Sequence, residues 1–124
     1  MSQRTDALAL AQMARAASKI VQRTQDVTYE QFAADDMRQD SVIRQLEIIG
    51  EAAGRLTPGF REGHPEILPW RTMKAMRNLL IHQYDDVDLM TVWVVAREEI
   101  PRLRAHLAAF LSPSRSAPEE GRDR

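Results

Sequence analysis

The chain has 124 residues, a length that suits one domain with a modest core. Apolar residues make up 44% of it and charged residues 28%, a balance typical of globular proteins that excludes the disordered and membrane-spanning classes. The net charge of −1 counts against nonspecific binding of long nucleic acid, and the absence of cysteine excludes disulfides and thiolate metal sites and favours a cytoplasmic location.

Two long amphipathic helices are predicted in the first half of the chain. The first covers residues 5–24, and its apolar positions recur at helical spacing: Leu10, Met13, Ala17, Ile20 and Thr24. A short helical turn follows, where Thr28 and Gln31 have the spacing of a capping box. The second long helix covers residues 36–56, with apolar positions Val42, Leu46, Ile49, Ala53 and Leu56.

Residues 57–69 are predicted to form a loop, because Thr57-Pro58-Gly59 stops the second helix and Gly63, Pro65 and Pro69 follow. His64 in this loop is expected to be exposed. A third helix is predicted over residues 70–84. An aspartate in the turn at 85–88 caps a fourth helix that extends to residue 111. Pro101 is expected to kink this helix without ending it.

The predicted fold is all-α, an antiparallel bundle of four to five helices, because no stretch alternates at the period of a strand. The domain is expected to span residues 1–111, with 112–124 as a disordered tail rich in serine, proline and charge. Apolar positions that repeat every 3.5 residues predict coiled-coil-like packing and a homodimer formed through helix faces.

Arg77 and His82 are the residues whose chemistry stands out. Histidine exchanges a proton near neutral pH, and arginine binds phosphate oxygens, so the pair suits phosphodiester cleavage in RNA. On an ideal helix the two side chains point about 140° apart, so they converge only where the helix ends, bends or meets a second subunit. Tyr84 points only about 20° away from Arg77. The three histidines have no metal-binding helical spacing, so no metal or cofactor is expected.

Spacing alone leaves structural alternatives open. Arg77 can pair with Asp85 or Glu51, and His82 can cap the helix C-terminus. Glu51 either orients Arg77 or is a surface carboxylate. Several cations are candidates for binding RNA phosphates: Arg71 and Lys74 on the third helix, and Arg15, Lys19 and Arg23 on the first, where a solvated face is the alternative.

The run RNLLIHQY at residues 77–84 resembles the R-x4-H-x-Y motif of the HEPN superfamily, specifically its HepT toxin branch. Residues 32–36, 46–52 and 65–70 resemble further segments of that branch, in the same order. The resemblance covers about residues 5–110.

The resemblance implies a dimeric helical bundle that acts as a metal-independent endoribonuclease, the toxin of a type VII toxin–antitoxin system. Arg77 and His82 would be catalytic, and Asn78 matches the polar residue that follows the arginine. Tyr84 matches the tyrosine that a partner antitoxin, a minimal nucleotidyltransferase, modifies with AMP. Two alternatives remain: a non-catalytic module that binds a nucleotide or a partner, and a structural dimer within a larger complex.

Overall fold

The structure is a computed structural model that describes residues 2–67, 70–81 and 88–112. The described residues are helical, with no strand among them, which confirms the all-α prediction. The helices are α1 (Ser2–Thr24), α2 (Tyr29–Ala33), α3 (Asp36–Gly54), α4 (Pro58–Gly63), α5 (Trp70–Ile81), α6 (Leu89–Val94) and α7 (Ile100–Leu111), with a π-helical turn at Val95–Glu99 between the last two. No helix in these ranges is long and apolar enough to cross a membrane.

The centre of the bundle is α1, which packs against α3 on one side and α7 on the other. Asp6 near the start of α1 bonds to Thr57 just after α3, whereas Arg23 near its end bonds to Arg38 near the start of α3. The two helices are therefore antiparallel, as predicted. α5 packs against α3 and the π-turn, while α2 packs against α3 and α6.

The apolar seams predicted from periodicity form the core. In α1 and α3 every predicted seam residue is buried, and Met13, Ile20, Val42 and Ile49 are fully inaccessible. In the last predicted helix, periodicity predicts a seam of Leu89, Trp93, Ala96, Ile100, Leu103, Leu107 and Phe110. This seam is buried from Ala96 to Leu107, whereas Phe110 is exposed and Trp93 is half-buried, with its ring centroid 5.2 Å from that of Phe32. Burial of these side chains is the main source of stability in a domain of this size.

Two arginines satisfy the carbonyl groups at the end of α1. Arg38 donates from Nη1 to the carbonyl oxygen of Arg23 at 2.7 Å, and Arg97 donates to that of Thr24 at 3.4 Å. Guanidinium groups are favourable here because the last carbonyls of a helix lack partners and carry partial negative charge. These bonds connect α1 to α3 and to the π-turn.

The prediction of a continuous loop over residues 57–69 is wrong, because Pro58–Gly63 forms α4. The Thr-Pro-Gly sequence that ends α3 also starts the next helix, with Thr57 as N-cap and Pro58 in the first turn, where its missing N–H costs nothing. Thr57 donates its N–H and its hydroxyl to the buried carboxylate of Asp6, both at 2.8 Å.

His64 is half-buried, not exposed as predicted. Its ring stacks on that of Phe60, 4.3 Å between centroids, and makes a T-shaped contact with the ring of Phe110, 5.1 Å between centroids. The Nδ1 atom lies 3.1 Å from the carbonyl oxygen of Phe60, a distance suited to donation from the ring N–H. The expectation failed because α4 places Phe60 one turn before His64, on the same side of a helix that was not predicted.

The final helix continues through Pro101 as predicted, but the distortion is a π-turn that precedes the proline. Proline has no N–H to donate to the carbonyl of Arg97 four residues earlier, and its ring would collide with that carbonyl in a regular helix. In the π-turn the hydrogen bonds span five residues, and the N–H of Ile100 bonds to the carbonyl oxygen of Val95. The predicted end of the third helix at residue 84 lies outside the described residues, as does all of the predicted tail at 112–124 except Ser112, which is the C-cap of α7.

Candidate active site

α5 has an inner and an outer face. Thr72 and Met76, four residues apart, are buried, with 3% and 4% of their surfaces exposed. Lys74, Arg77 and Asn78 are exposed on the opposite side. The helix therefore presents the first two motif residues and one predicted phosphate-binding cation to solvent, where a large substrate can reach them.

A buried hydrogen bond fixes the inner face of α5. The hydroxyl of Thr72 donates to Oε1 of Glu99 at 2.9 Å, and Glu99 belongs to the π-turn and is only 8% exposed. A buried carboxylate is costly unless it accepts hydrogen bonds, so this contact sets the rotation of α5 against the π-turn. The same rotation determines the direction in which Arg77 leaves the helix.

Sequence reasoning missed Glu99, since a glutamate in an amphipathic helix is usually solvated. The one available signal is Pro101 two residues later, because proline inside a helix often accompanies a π-turn, and such turns are frequent at functional sites.

Among the described residues, no carboxylate lies within ion-pair distance of Arg77, and Asp85, its other predicted partner, lies outside them. Among the described residues, the ion pairs within 4 Å join Arg38 to Asp35 and Arg44 to Glu47. The alternative pairing of Arg77 with Glu51 is therefore not formed. His82, Tyr84 and the side chain of Arg71 lie outside the described residues, so the convergence of arginine and histidine stays a prediction.

Glu51 lines a groove of about 340 Å³ between α1 and α3. The lining residues are Gln12, Arg15, Ala16, Lys19, Gln45, Ile48, Glu51 and Arg55. Two of the cations predicted on the first helix therefore share one groove, and Arg55, held by a hydrogen bond to Gln12, is a third that sequence reasoning missed. Arg23 lies nearer the end of α1 and does not line the groove.

No group of three histidine or carboxylate side chains in the described ranges is arranged to hold a metal ion. The chemistry available at the outer face of α5 is that of a guanidinium beside a carboxamide, Arg77 and Asn78. A guanidinium and a carboxamide are chemically suited to binding and orienting a phosphate, whereas proton transfer needs a further group.

Comparison with known proteins identifies relatives along most of the chain. The family described as "Ribonuclease HepT-like" matches residues 13–110, which include the whole of the 77–84 run. A protein of Thermococcus cleftensis named "Probable ribonuclease HepT" is 43% identical over 95 residues, 77% of this chain and 86% of that protein. A Methanocaldococcus jannaschii protein named "Putative RNase MJ1380" is 36% identical over 104 residues, 84% of this chain and 94% of that protein.

A third relative, from Caldanaerobacter subterraneus and named "Putative RNase TTE0752", is 35% identical over 92 residues, 74% of this chain and 81% of that protein. No solved structure is significantly similar to this chain. The family match extends from α1 to α7 and contains the exposed Arg77 and Asn78. The chain therefore belongs to the HepT-like ribonuclease family.

Proposed function

We propose that this chain is a metal-independent endoribonuclease that works as a homodimer in the cytoplasm, with Arg77 and His82 as its catalytic residues. The observation that carries the proposal is the family match over residues 13–110, which spans both of these positions. The exposure of Arg77, which has no carboxylate partner in the described part of the chain, supports it. On the same basis, residues 1–111 form the catalytic domain and 112–124 a tail outside it.

The chemistry follows from the two side chains. The 2′-oxygen of a ribose bonds to the adjacent phosphorus while its proton passes to the imidazole of His82. The bond from phosphorus to the 5′-oxygen breaks, and that oxygen takes a proton from His82 of the partner subunit. Arg77 stabilises the extra negative charge on the phosphorane-like transition state, and Asn78 helps to hold the phosphate. The products are a 2′,3′-cyclic phosphate and a 5′-hydroxyl.

The decisive experiment is an RNA cleavage assay in EDTA with analysis of the product ends. The parent should cleave and leave a cyclic phosphate. His82→Ala should reduce kcat by about 10²–10⁴-fold, because it removes the proton-transfer group. Arg77→Ala should reduce it by about 10²–10³-fold through lost charge stabilisation.

Matched controls are available on α7, where His106 and Arg104 are exposed. His106→Ala and Arg104→Ala should cleave as the parent does. Cleavage by His82→Ala at the parental rate would refute the mechanism, and loss of parental cleavage in EDTA would refute metal independence. A parent that binds RNA but never cleaves it would favour a non-catalytic binding module.

We further propose that the chain is the toxin of a type VII toxin–antitoxin pair, and that a minimal nucleotidyltransferase neutralises it by attaching AMP to Tyr84. An adenylate adds bulk and negative charge close to Arg77, where it competes with RNA phosphate for the same cation. Incubation with the nucleotidyltransferase and ATP should raise the mass of the chain by adenylate units and stop RNA cleavage. Tyr84→Phe should block the mass increase, and unchanged modification of this variant would contradict the assignment.

A further inference from the structure

The groove between α1 and α3 concentrates positive charge in a chain whose net charge is −1. Arg15 and Lys19 contribute from α1, and Arg55 contributes from the position just after α3, against one carboxylate, Glu51. The groove thus carries two more positive than negative charges. A local field of this kind attracts anions even where the molecule as a whole does not.

No ion pair among the described residues neutralises these cations. Within the described ranges, neither ion pair involves a residue of the groove. Arg15 and Lys19 are also four residues apart on α1, a spacing at which like charges repel and slightly destabilise the helix. Arg55 is held toward the groove by its hydrogen bond to Gln12. An external anionic ligand can therefore pair with these cations.

The remaining lining residues suit the other parts of a nucleotide. The half-buried Ile48 gives an apolar surface for a sugar or a base, and the amides of Gln12 and Gln45 are able to bond to base edges. A volume of about 340 Å³ is at the small end of ligand pockets, enough for one nucleotide unit. Arginine is the preferred side chain for binding phosphate oxygens.

We propose that this groove binds a nucleotide unit of the single-stranded RNA substrate, away from the bond that is cleaved. The cations bind its phosphate, and Arg77 does not line the groove. The proposal rests on the proposed function for the identity of the ligand, and it assigns the groove a role in affinity and not in the chemical step. Recognition of unpaired nucleotides one at a time is typical of proteins that bind single-stranded RNA.

The first test measures affinity without cleavage. A fluorescent single-stranded RNA with 2′-O-methyl riboses is titrated by anisotropy at several salt concentrations. The double variant Arg15→Gln/Lys19→Gln should bind about tenfold more weakly. The slope of log K against log salt should become shallower by about 0.7 for each phosphate that the variant no longer neutralises. The control Arg102→Gln/Arg104→Gln removes the same charge from exposed positions of α7 and should bind as the parent does.

The second test uses Glu51→Gln, which removes the one negative charge of the groove. This variant should bind RNA more tightly than the parent, a gain that damage to the fold does not produce. In cleavage assays the double variant should raise KM and leave kcat at the parental value, because Arg77 and His82 are intact. If Glu51 instead orients Arg77, Glu51→Gln lowers kcat and leaves affinity unchanged, which overturns the proposal.

The outcomes separate this proposal from the proposed function. Weaker binding by the double variant, in a parent that never cleaves RNA, supports the groove and refutes the nuclease. Parental binding by the double variant overturns the groove and leaves the nuclease intact. The remaining case is that the groove is an interface between two copies of the chain, which light scattering tests through the mass of the double variant. If that variant becomes monomeric while each monomer binds RNA as before, the proposal fails.

Discussion

Asp88 shows how one side chain fixes the start of a helix directly after the motif. Its carboxylate accepts hydrogen bonds from the N–H of Met90 at 3.1 Å and from the hydroxyl of Thr91 at 2.7 Å, and a longer one from the N–H of Thr91. The bond from the Thr91 hydroxyl is the largest of the effects that lower the pKa of Asp88 below its ordinary value of 3.8. The capping aspartate predicted at 85–88 is thus confirmed at the last of these positions.

Asp88→Ala should lower the melting temperature at neutral pH, and the difference from the parent should shrink in acid. Because the folded pKa is lower than the unfolded one, the charged cap stabilises the fold fully above the unfolded value of 3.8. This stabilisation is lost as the pH falls through the lowered folded value. Thermal melts of both proteins across this range test the expectation.

Two further variants control for the loss of a charge and of a hydrogen bond. Asp40→Ala removes an exposed carboxylate from α3 that is not a cap, and should change the melting temperature little. Asp88→Asn keeps a neutral capping oxygen, so its difference from Asp88→Ala should not depend on pH. A gap between the parent and Asp88→Ala that persists unchanged in strong acid would show that the carboxylate charge is not the source.

At the scale of helices, the periodicity of apolar residues correctly predicted which side chains are buried. The seams of α1 and α3 are buried at every predicted position, because an apolar stripe on a long helix has few alternatives to the core. The starts of α2 and α3 also agree with the sequence, since Thr28 and Asp35 cap them with side-chain oxygens. In both cases the signal lies within a few residues of the structure it determines.

The features that sequence reasoning missed depend on distant partners. Glu99 is buried because Thr72, 27 positions earlier, donates to it. Thr57 begins α4 and not a loop in part because Asp6, 51 positions earlier, accepts its N–H and hydroxyl. Arg55 becomes a groove residue through Gln12. Contacts of this range leave no local pattern, so only the folded chain reveals them.

In the candidate site, too, local sequence pattern predicts one feature and not another. The exposure of Arg77 and Asn78 follows from their place opposite the buried Thr72 and Met76 on α5, a property of helical periodicity. Helical periodicity does not account for the predicted approach of His82 to Arg77, because a regular helix turns the two side chains apart. Only the backbone after Ile81 or a second subunit can bring them together, and neither is encoded in the spacing.

At the scale of the whole molecule, the proposed mechanism requires two copies of the chain. Each chain has three histidines, of which His64 is stacked on Phe60 and His106 is exposed on α7. That leaves His82 alone beside Arg77 in the motif. One imidazole cannot accept the 2′-proton and donate to the leaving 5′-oxygen in the same step, so in the proposed mechanism the partner subunit of a twofold dimer supplies the second imidazole.

This requirement predicts how mixed dimers behave. When parent and His82→Ala chains exchange subunits freely, only parent–parent dimers retain an acid and a base at one shared site. Cleavage should therefore fall with the square of the parent fraction, to about a quarter when half of the chains are parent. Two independent sites would instead give about half, since each parent subunit would keep its own activity. Parent mixed with His106→Ala controls for the mixing procedure and should cleave at full rate at every ratio. A linear decline with His82→Ala would mean that one histidine suffices and that solvent supplies the second proton transfer.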